Sequence, residues 1–509
     1  MNTRKSTFIK FISLCLAVVL LTTSALMLMT ATNSLENARR NSNTITINAE
    51  FNSQLNVLTV SQTVEYRNRT GTTLDRIKFH IFANAYREGA RFPPVTPAEA
   101  PRAFPNGRSF GNITIASVSV NNVPVTHIIE GADDTILTVP IIDGLAPNAS
   151  VTINMMYKVR LANIRHRLGW TDLAVNLGNF YPIPVVFKDG AWQTNEYSFN
   201  GDPFFNEVHN YNVTIRADKN FMVASSGALV NTRLDGSTRI HTFRSIAIRD
   251  FAMVLSRHFQ VITRVIDKVT LSYFFIDDYN PQASFQVAVD ALRTFSQLFM
   301  QFPYRQLTVV QTDFLHGGME YGELVFVSID ILRGCEQNEP SRMFHNHVII
   351  HEIAHQWWYG IVGNNQVRTS WIDEGLAEYT TMLFYHFNPQ HNVCMNQMIS
   401  NARDSYAAFV ALINSIGTNV DENMNKTLND FRNSFEYIYM AYVRGLLLFV
   451  ELENLIGRQK VIKSLRHLTH KRAFGIATKA CIIAAFEHIT RTPMELFFTS
   501  FLRGTVNFL

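Results

Sequence analysis

The spacing of apolar and polar residues changes period once along the chain, near residue 285. From residue 44 it alternates at period two. Stretches 44–47, 58–60 and 63–66 each turn every second side chain to one face, the pattern of half-buried strands. The same alternation predicts strands at 113–120, 135–139, 151–159 and 211–215, separated by turns at 69–72, 121–122 and 133–134. Residues 92–110, rich in Pro, Ala and Arg, predict a long loop. Many short strands punctuated by turns make residues 44–260 an all-β domain of sandwich type.

Past that point helical spacing takes over. It predicts helices at 286–302, 341–360, 372–387, 437–455, 458–469, 478–488 and 493–501, with strands at 307–311 and 324–329. A mixed α/β unit, 261–450, thus runs into a short helical region, 451–509. Ahead of the strands, Arg4, Lys5 and Lys10 precede an apolar run at 11–31. Positive charge before such a run marks an export signal or an anchor. About 20 apolar residues are enough to span a bilayer, longer than the 7–15 of a cleaved signal, and no A-x-A site follows. Residues 1–32 are therefore expected to form a signal-anchor or transmembrane helix, with the remainder outside the cytoplasm. Cleavage would make the protein secreted instead. The fold class expected is a multidomain α+β chain with these four parts.

Composition narrows this only a little. Length 509 allows about three domains, and 47% hydrophobic against 17% charged residues suits large cores and excludes disorder. A net charge of +4, from 45 basic and 41 acidic residues, argues against nucleic-acid binding as the main role. The 38 Phe read as core packing. Cys15, Cys335, Cys394 and Cys481 have no spacing of a disulfide framework or metal pair.

Candidate chemistry concentrates in His351-Glu352-Ile353-Ala354-His355. Residues four apart on a helix lie about 40° apart around the axis and ~6 Å along it, so both imidazoles can meet one ion. Glu352 is turned about 100° from His351, beside the ion rather than on it, which suits a general base. Apolar residues 348–350 before the motif and Trp357-Trp358-Tyr359 after it bury this helix, where unpartnered histidines are costly. Glu374 follows at the start of the next predicted helix, in Trp371-Ile372-Asp373-Glu374-Gly375-Leu376-Ala377-Glu378-Tyr379. Two imidazoles and one carboxylate leave a fourth tetrahedral position for water, the open arrangement of a catalytic zinc site with one Zn2+ per chain.

Here a family resemblance enters. HEIAHQWWYG followed by WIDEGLAEY resembles the gluzincin aminopeptidases, the family of aminopeptidase N and leukotriene hydrolase. Gly317-Gly318-Met319-Glu320-Tyr321 resembles that family's G-x-M-E-N element, with Tyr321 in place of Asn. The resemblance implies that Glu320 binds the substrate's free α-amine and that Gly317, Gly318 and Met319 line the peptide's path. Ala441-Tyr442-Val443-Arg444-Gly445 resembles the family's Y-x-K-G segment, Arg444 standing for Lys; it implies that Tyr442 donates to the oxyanion. Gly201-Asp202-Pro203-Phe204-Phe205 and Ile476-Ala477-Thr478 are similar as well. The resemblance also implies a thermolysin-like catalytic domain and a short form without the long C-terminal superhelical domain. The activity implied is zinc-dependent release of N-terminal residues from peptides with a free N-terminus.

Two other readings stand beside it: a thermolysin-like endopeptidase, and a catalytically silent surface-binding protein on the same fold. Among neighbouring residues, Glu378 shares a helix face with Glu374 and is placed to orient a ligand histidine. Asn365 reads as a turn residue. His345 and His347 precede the motif; a rival His347/His351 pair lacks a Glu next to its first histidine, and Asn346 cannot serve as its base.

Overall fold

The computed structural model describes residues 31–334 and 338–505; the expected anchor at 1–32 lies almost wholly outside the described residues. Among the described residues, no helix is long and apolar enough to cross a membrane. The architecture is multidomain α+β, β-rich in its N-terminal part and helical toward the C-terminus.

The period-two stretches assemble into one eight-stranded sheet, except 135–139, which joins a separate four-stranded one. Asn43–Asn52 lies in its interior, parallel to His209–Asp218 and antiparallel to Val57–Arg67. Ile45, Ile47, Ala49 and Phe51 point into the core while their neighbours face outward, as a sheet with one wet face requires. Thr238–Ile248 and Ala228–Asp235 extend one edge, and Ser150–Arg160, Asn112–Val120 and Val123–Pro124 extend the other. Two four-stranded sheets, one holding Val175–Gly178 and Ala252–Ser256, the other Leu74–His80 and Ile136–Leu145, and a two-stranded one of Phe187–Lys188 and Ala191–Trp192 complete the β-rich part. The expected loop at 92–110 carries a single helical turn, Ala100–Ala103.

A five-stranded sheet begins at Gln260 and runs Gln260–Ile266, Val269–Phe275, Gln306–Thr312, Leu324–Ser328, Gly318–Met319 in spatial order. Gln306–Thr312 and Leu324–Ser328 are buried along their whole length and pair in parallel, because helices cover the sheet. Helices Pro281–Leu298 and Glu339–Ala354 begin alike, with an Asn side chain (Asn280, Asn338) accepting a backbone N–H and a Pro in the first turn.

Two helical expectations need correction, and one helix was not expected. The helix expected at 341–360 ends at Ala354, with His355 as its cap. The chain beyond is held by tertiary bonds that a helix would forbid: buried Arg249 donates to the carbonyls of Tyr359, Asn206 and Gly475, and the Tyr359 hydroxyl donates to Asp250. Tyr359 is pinned by these bonds at φ 117°. The helix expected at 437–455 is three pieces, Ser434–Ile438, a π turn Tyr439–Val443, and Arg444–Ile456. A further helix, Met395–Ser415, was not expected; it buries only Tyr406 and Phe409, too thin a stripe to read.

Gln366–Phe387 and Arg444–Ile456 cross at Gly375 and Gly445, where a Cβ on Gly445 would stand 2.8 Å from Gly375 Cα. Arg444 points away from this crossing toward Tyr406, Glu422 and the Phe501 carbonyl, tying the C-terminal helices down. Gly445→Ala is expected to destabilise the fold by about 1–3 kcal/mol, since neither backbone can yield without moving its helix. An unchanged denaturation midpoint would contradict the close crossing.

Candidate active site

The structure brings His351, His355 and Glu374 to one buried point. His351 Nε2 and His355 Nε2 stand 3.0 Å apart, and each lies 3.3 Å from Glu374 Oε2. The other imidazole nitrogens fix the tautomers. His355 Nδ1 meets the Trp358 carbonyl at 2.9 Å, an acceptor only, so Nδ1 carries the hydrogen. His351 Nδ1 lies 3.0 Å from Glu378 Oε1, a carboxylate whose charge favours the hydrogen on that nitrogen. Both Nε2 atoms therefore present lone pairs toward a carboxylate oxygen that takes no hydrogen bond from the described residues.

Three acceptors converging without a donor repel one another unless a cation lies between them. Their spacing fits zinc: bonds of about 2.0–2.1 Å in a tetrahedron set ligand atoms about 3.3–3.4 Å apart. Electrostatics agree. Burial disfavours a charged His351, yet Glu374 and Glu378 overrule it and hold the imidazole up to about 10. Burial likewise pushes Glu374 up, but His351 and His355 bring it down to about 2. The pocket demands positive charge: a second hydrogen on His351 meets that demand in the bare chain, and this donor set takes a divalent ion in its place.

The second helix explains how Glu374 arrives. Asn365 caps Gln366–Phe387, its side chain accepting the Arg368 N–H, and Thr369 then breaks the helical geometry at φ −143° and ψ 44°. The helix restarts, leaving Glu374 in a first turn that faces the histidines. Glu378, one turn on, lies between His351 and His347, the latter at 3.5 Å. His347 thus shares an orienting carboxylate with His351 rather than meeting its inner nitrogen.

Glu352 lies under the Gly317–Tyr321 segment. A Cβ on Gly318 would stand 2.2 Å from Glu352 Oε1, so glycine is needed there for the carboxylate as much as for a substrate. Burial pushes the Glu352 carboxyl up to about 7, against the pull of His351 and His355. Gly317 gives its carbonyl to Ser328, and Met319 turns its sulfur inward to Arg167 at 3.1 Å, so what these residues offer a ligand is the backbone of the edge strand Gly318–Met319. The Gln356 amide, directly after the histidine motif, grips the Tyr321 carbonyl at 3.0 Å and the Glu323 N–H at 2.9 Å. That clamp locks this segment to the metal-binding helix.

Glu320 is buried, and burial together with neighbouring Asp202 raises its carboxyl well above the ordinary value against the pull of His355. Its Oε1 accepts from Gln366 Nε2 at 2.7 Å, and the same nitrogen donates to Asp373 Oδ2 at 2.7 Å. Asp202, from the Gly201–Phe205 loop, is held by Arg167 at 2.5 Å. Tyr321 fits because its ring end packs on Gly178, where a Cβ would stand 1.9 Å from the hydroxyl. Tyr442 donates to Glu374 Oε1 at 2.6 Å, its ring parallel to His351. Tyr437 reaches the same oxygen at 3.3 Å.

Tyr437, Gln366, Gln356 and Arg167 were not legible as site residues. Gln356 lies within HEIAHQWWYG, yet nothing local shows its clamp on Tyr321 and Glu323; the other three lie outside every motif quoted, and only the fold brings them in. The Gly201-Asp202 pair carried a signal only through the family resemblance of Gly201-Asp202-Pro203-Phe204-Phe205.

Comparison with known proteins agrees with this geometry. Residues 283–501 match the Peptidase family M1 domain. The chain is similar to aminopeptidase M1-A of Oryza sativa, 25% identical over 215 residues, covering 41% of this chain and 24% of that protein. It is similar to the alanine/arginine aminopeptidase of Saccharomyces cerevisiae, 25% identical over 45% of this chain and 26% of the other. Leukotriene A-4 hydrolase of Xenopus laevis is 24% identical over 40% of this chain and 30% of its own. The chain thus spans about a quarter of the length of the curated relatives it matches. The M1 zinc metallopeptidase of Deinococcus radiodurans has a similar fold, TM-score 0.62 at 13% identity, covering 91% of this chain and 93% of that one. A variant of that enzyme bound to the substrate Tyr-Ser-Ala gives a TM-score of 0.61 at 13% identity, over 91% of this chain and 94% of the other.

Because Glu378 sets the His351 tautomer, Glu378→Gln is expected to weaken zinc binding about 10–100-fold with the fold intact. Competition with a zinc chelator measures this; an unchanged affinity would remove Glu378 from the site.

Proposed function

We propose that this chain, whose residues 283–501 form a domain of peptidase family M1, is a zinc aminopeptidase that releases N-terminal residues from peptides. The observation that carries the reading is the buried Glu320 carboxylate, held by Gln366 beside a zinc-type triad. Glu320 and Asp202 crowd negative charge at one end of the cleft, and an α-ammonium group relieves it. That end fixes the peptide's N-terminus, so cleavage falls one residue in.

His351, His355 and Glu374 would hold the zinc ion, which supplies Lewis acidity, polarising the scissile carbonyl and bringing a bound water's pKa toward about 7. Glu352, beside the triad and free of competing donors at Oε2, takes the proton of the attacking water and returns it to the leaving amine. The Tyr442 hydroxyl donates to the oxygen that gains charge as the carbonyl becomes tetrahedral. Gly318 keeps the floor low enough for Glu352 to reach that water. The helices around the five-stranded sheet suit a thermolysin-like catalytic domain. The Deinococcus neighbour that holds a tripeptide supports peptides as the substrate class.

The apolar run at 11–31 supports membrane anchorage with the catalytic part outside the cytoplasm. Protease treatment of intact cells should degrade an anchored protein, whereas protection would refute this placement.

Glu320→Gln should lower kcat/KM for peptides with a free N-terminus roughly 100-fold, the usual cost of removing one partner of a buried charge pair. Turnover of N-acetylated peptides should remain at its low level. Equal losses on both, or efficient cleavage of acetylated peptides by the unmodified enzyme, would replace the aminopeptidase reading with the endopeptidase one.

A further inference from the structure

Two phenols, not one, meet Glu374. Tyr442 donates to Oε1 at 2.6 Å and Tyr437 approaches the same atom at 3.3 Å. In a regular α-helix, residues five apart lie about 140° apart around the axis and cannot share a partner. Here the turn Tyr439–Val443 is a π turn. Its extra residue absorbs the excess, so the step from 437 to 442 acts as a step of four, about 40° apart. The rings meet edge to face, 5.8 Å between centroids. The β-rich part makes room for the second phenol at Gly201, where φ is 54° and a Cβ would stand 2.4 Å from the Tyr437 hydroxyl.

This arrangement answers a problem in the proposed chemistry. Tyr442 cannot donate to Glu374 and to the reacting carbonyl oxygen at once, since a phenol has one hydrogen. When it turns to the substrate, Glu374 Oε1 loses its shortest hydrogen bond inside a buried site, and a loosened carboxylate would shift Oε2 off the metal position. Burial makes such a loss expensive.

We propose that Tyr437 is a positioning residue that takes over the hydrogen bond to Glu374 Oε1 when Tyr442 turns to the substrate. The exchange moves one hydrogen bond and no proton: Tyr437 closes from 3.3 Å while Tyr442 leaves. It rests on the hydrolytic role given to Tyr442 above. The Gly201-Asp202 loop, which backs Tyr437, thereby acts on the zinc ligand from the β-rich part. Gly201 serves to admit the phenol.

The test is a double-mutant cycle on the zinc-loaded enzyme with two readouts, turnover of a free-N-terminus aminoacyl amide and the rate of zinc release to a chelator. Tyr437→Phe should lower kcat about tenfold, the worth of one hydrogen bond in the transition state, with KM within about twofold. With Tyr442 already changed to Phe there is no exchange to support, so adding Tyr437→Phe should leave kcat unchanged. It should instead speed zinc release about tenfold over Tyr442→Phe alone, because Glu374 Oε1 then lacks both phenols. Tyr439→Phe, which keeps the neighbouring ring stack, should match the unmodified enzyme in both readouts. Equal kcat losses with and without Tyr442, or zinc release alike in all variants, would overturn the proposal. A zinc-loaded enzyme that hydrolyses no aminoacyl amide would refute the proposed function instead. The zinc-release arm would still decide whether Tyr437 holds Glu374.

Discussion

Three lone-pair acceptors, His351 Nε2, His355 Nε2 and Glu374 Oε2, meet within 3.3 Å of one another in the buried centre of this protein. Such a meeting is unfavourable in the bare chain, and much of the surrounding structure serves to enforce it. The Trp358 carbonyl and Glu378 turn the imidazoles inward by fixing their outer nitrogens. Arg249, on the β-rich part, gathers three carbonyls from separate segments and stops the histidine helix at its second ligand. The Gly375–Gly445 crossing brings the helix of Glu374 against the helix that follows the two phenols. A single divalent ion converts this repulsion into a strong constraint, and the energy of binding it is available to hold the site's geometry.

Around the triad lies a second ring of acids: Glu352, Glu320, Asp202 and Asp373. Each is buried, and each is raised chiefly by that burial. Arg167 and the amides of Gln366 and Asn364 soften the crowding without cancelling it. A site so built favours ligands that bring a cation to one end and leave their uncharged part on the edge-strand backbone. In the proposed reading the same ring separates roles: Glu352, under Gly318, serves the reacting water, and Glu320, held by Gln366, the peptide terminus.

The parts legible in the sequence were those with short-range signatures. The i, i+4 histidines, the adjacent glutamate and the acid at the next helix start depend on helix geometry alone, which residues 348–355 and 371–379 display. The period-two strands were readable for the same reason. What could not be read depends on distant partners. The parallel pairing of Asn43–Asn52 with His209–Asp218 joins segments far apart in the chain. The end of the helix at Ala354 is dictated by Arg249 rather than by a local breaker. Tyr437 sat in an apolar run with Tyr439 and Tyr442, and a continuous helix would have turned it away from Glu374; the π turn reversed that. Gln366, at a helix start, looked like any polar first-turn residue.

The most direct test of this account is the zinc content of the purified full chain, measured beside Glu374→Gln. The account predicts about one zinc per unmodified chain after gel filtration, and near-complete loss in the variant while its secondary structure persists. A folded, unmodified chain that cannot be loaded with zinc, or a variant that binds it equally well, would contradict the central claim that these three residues converge to hold a cation.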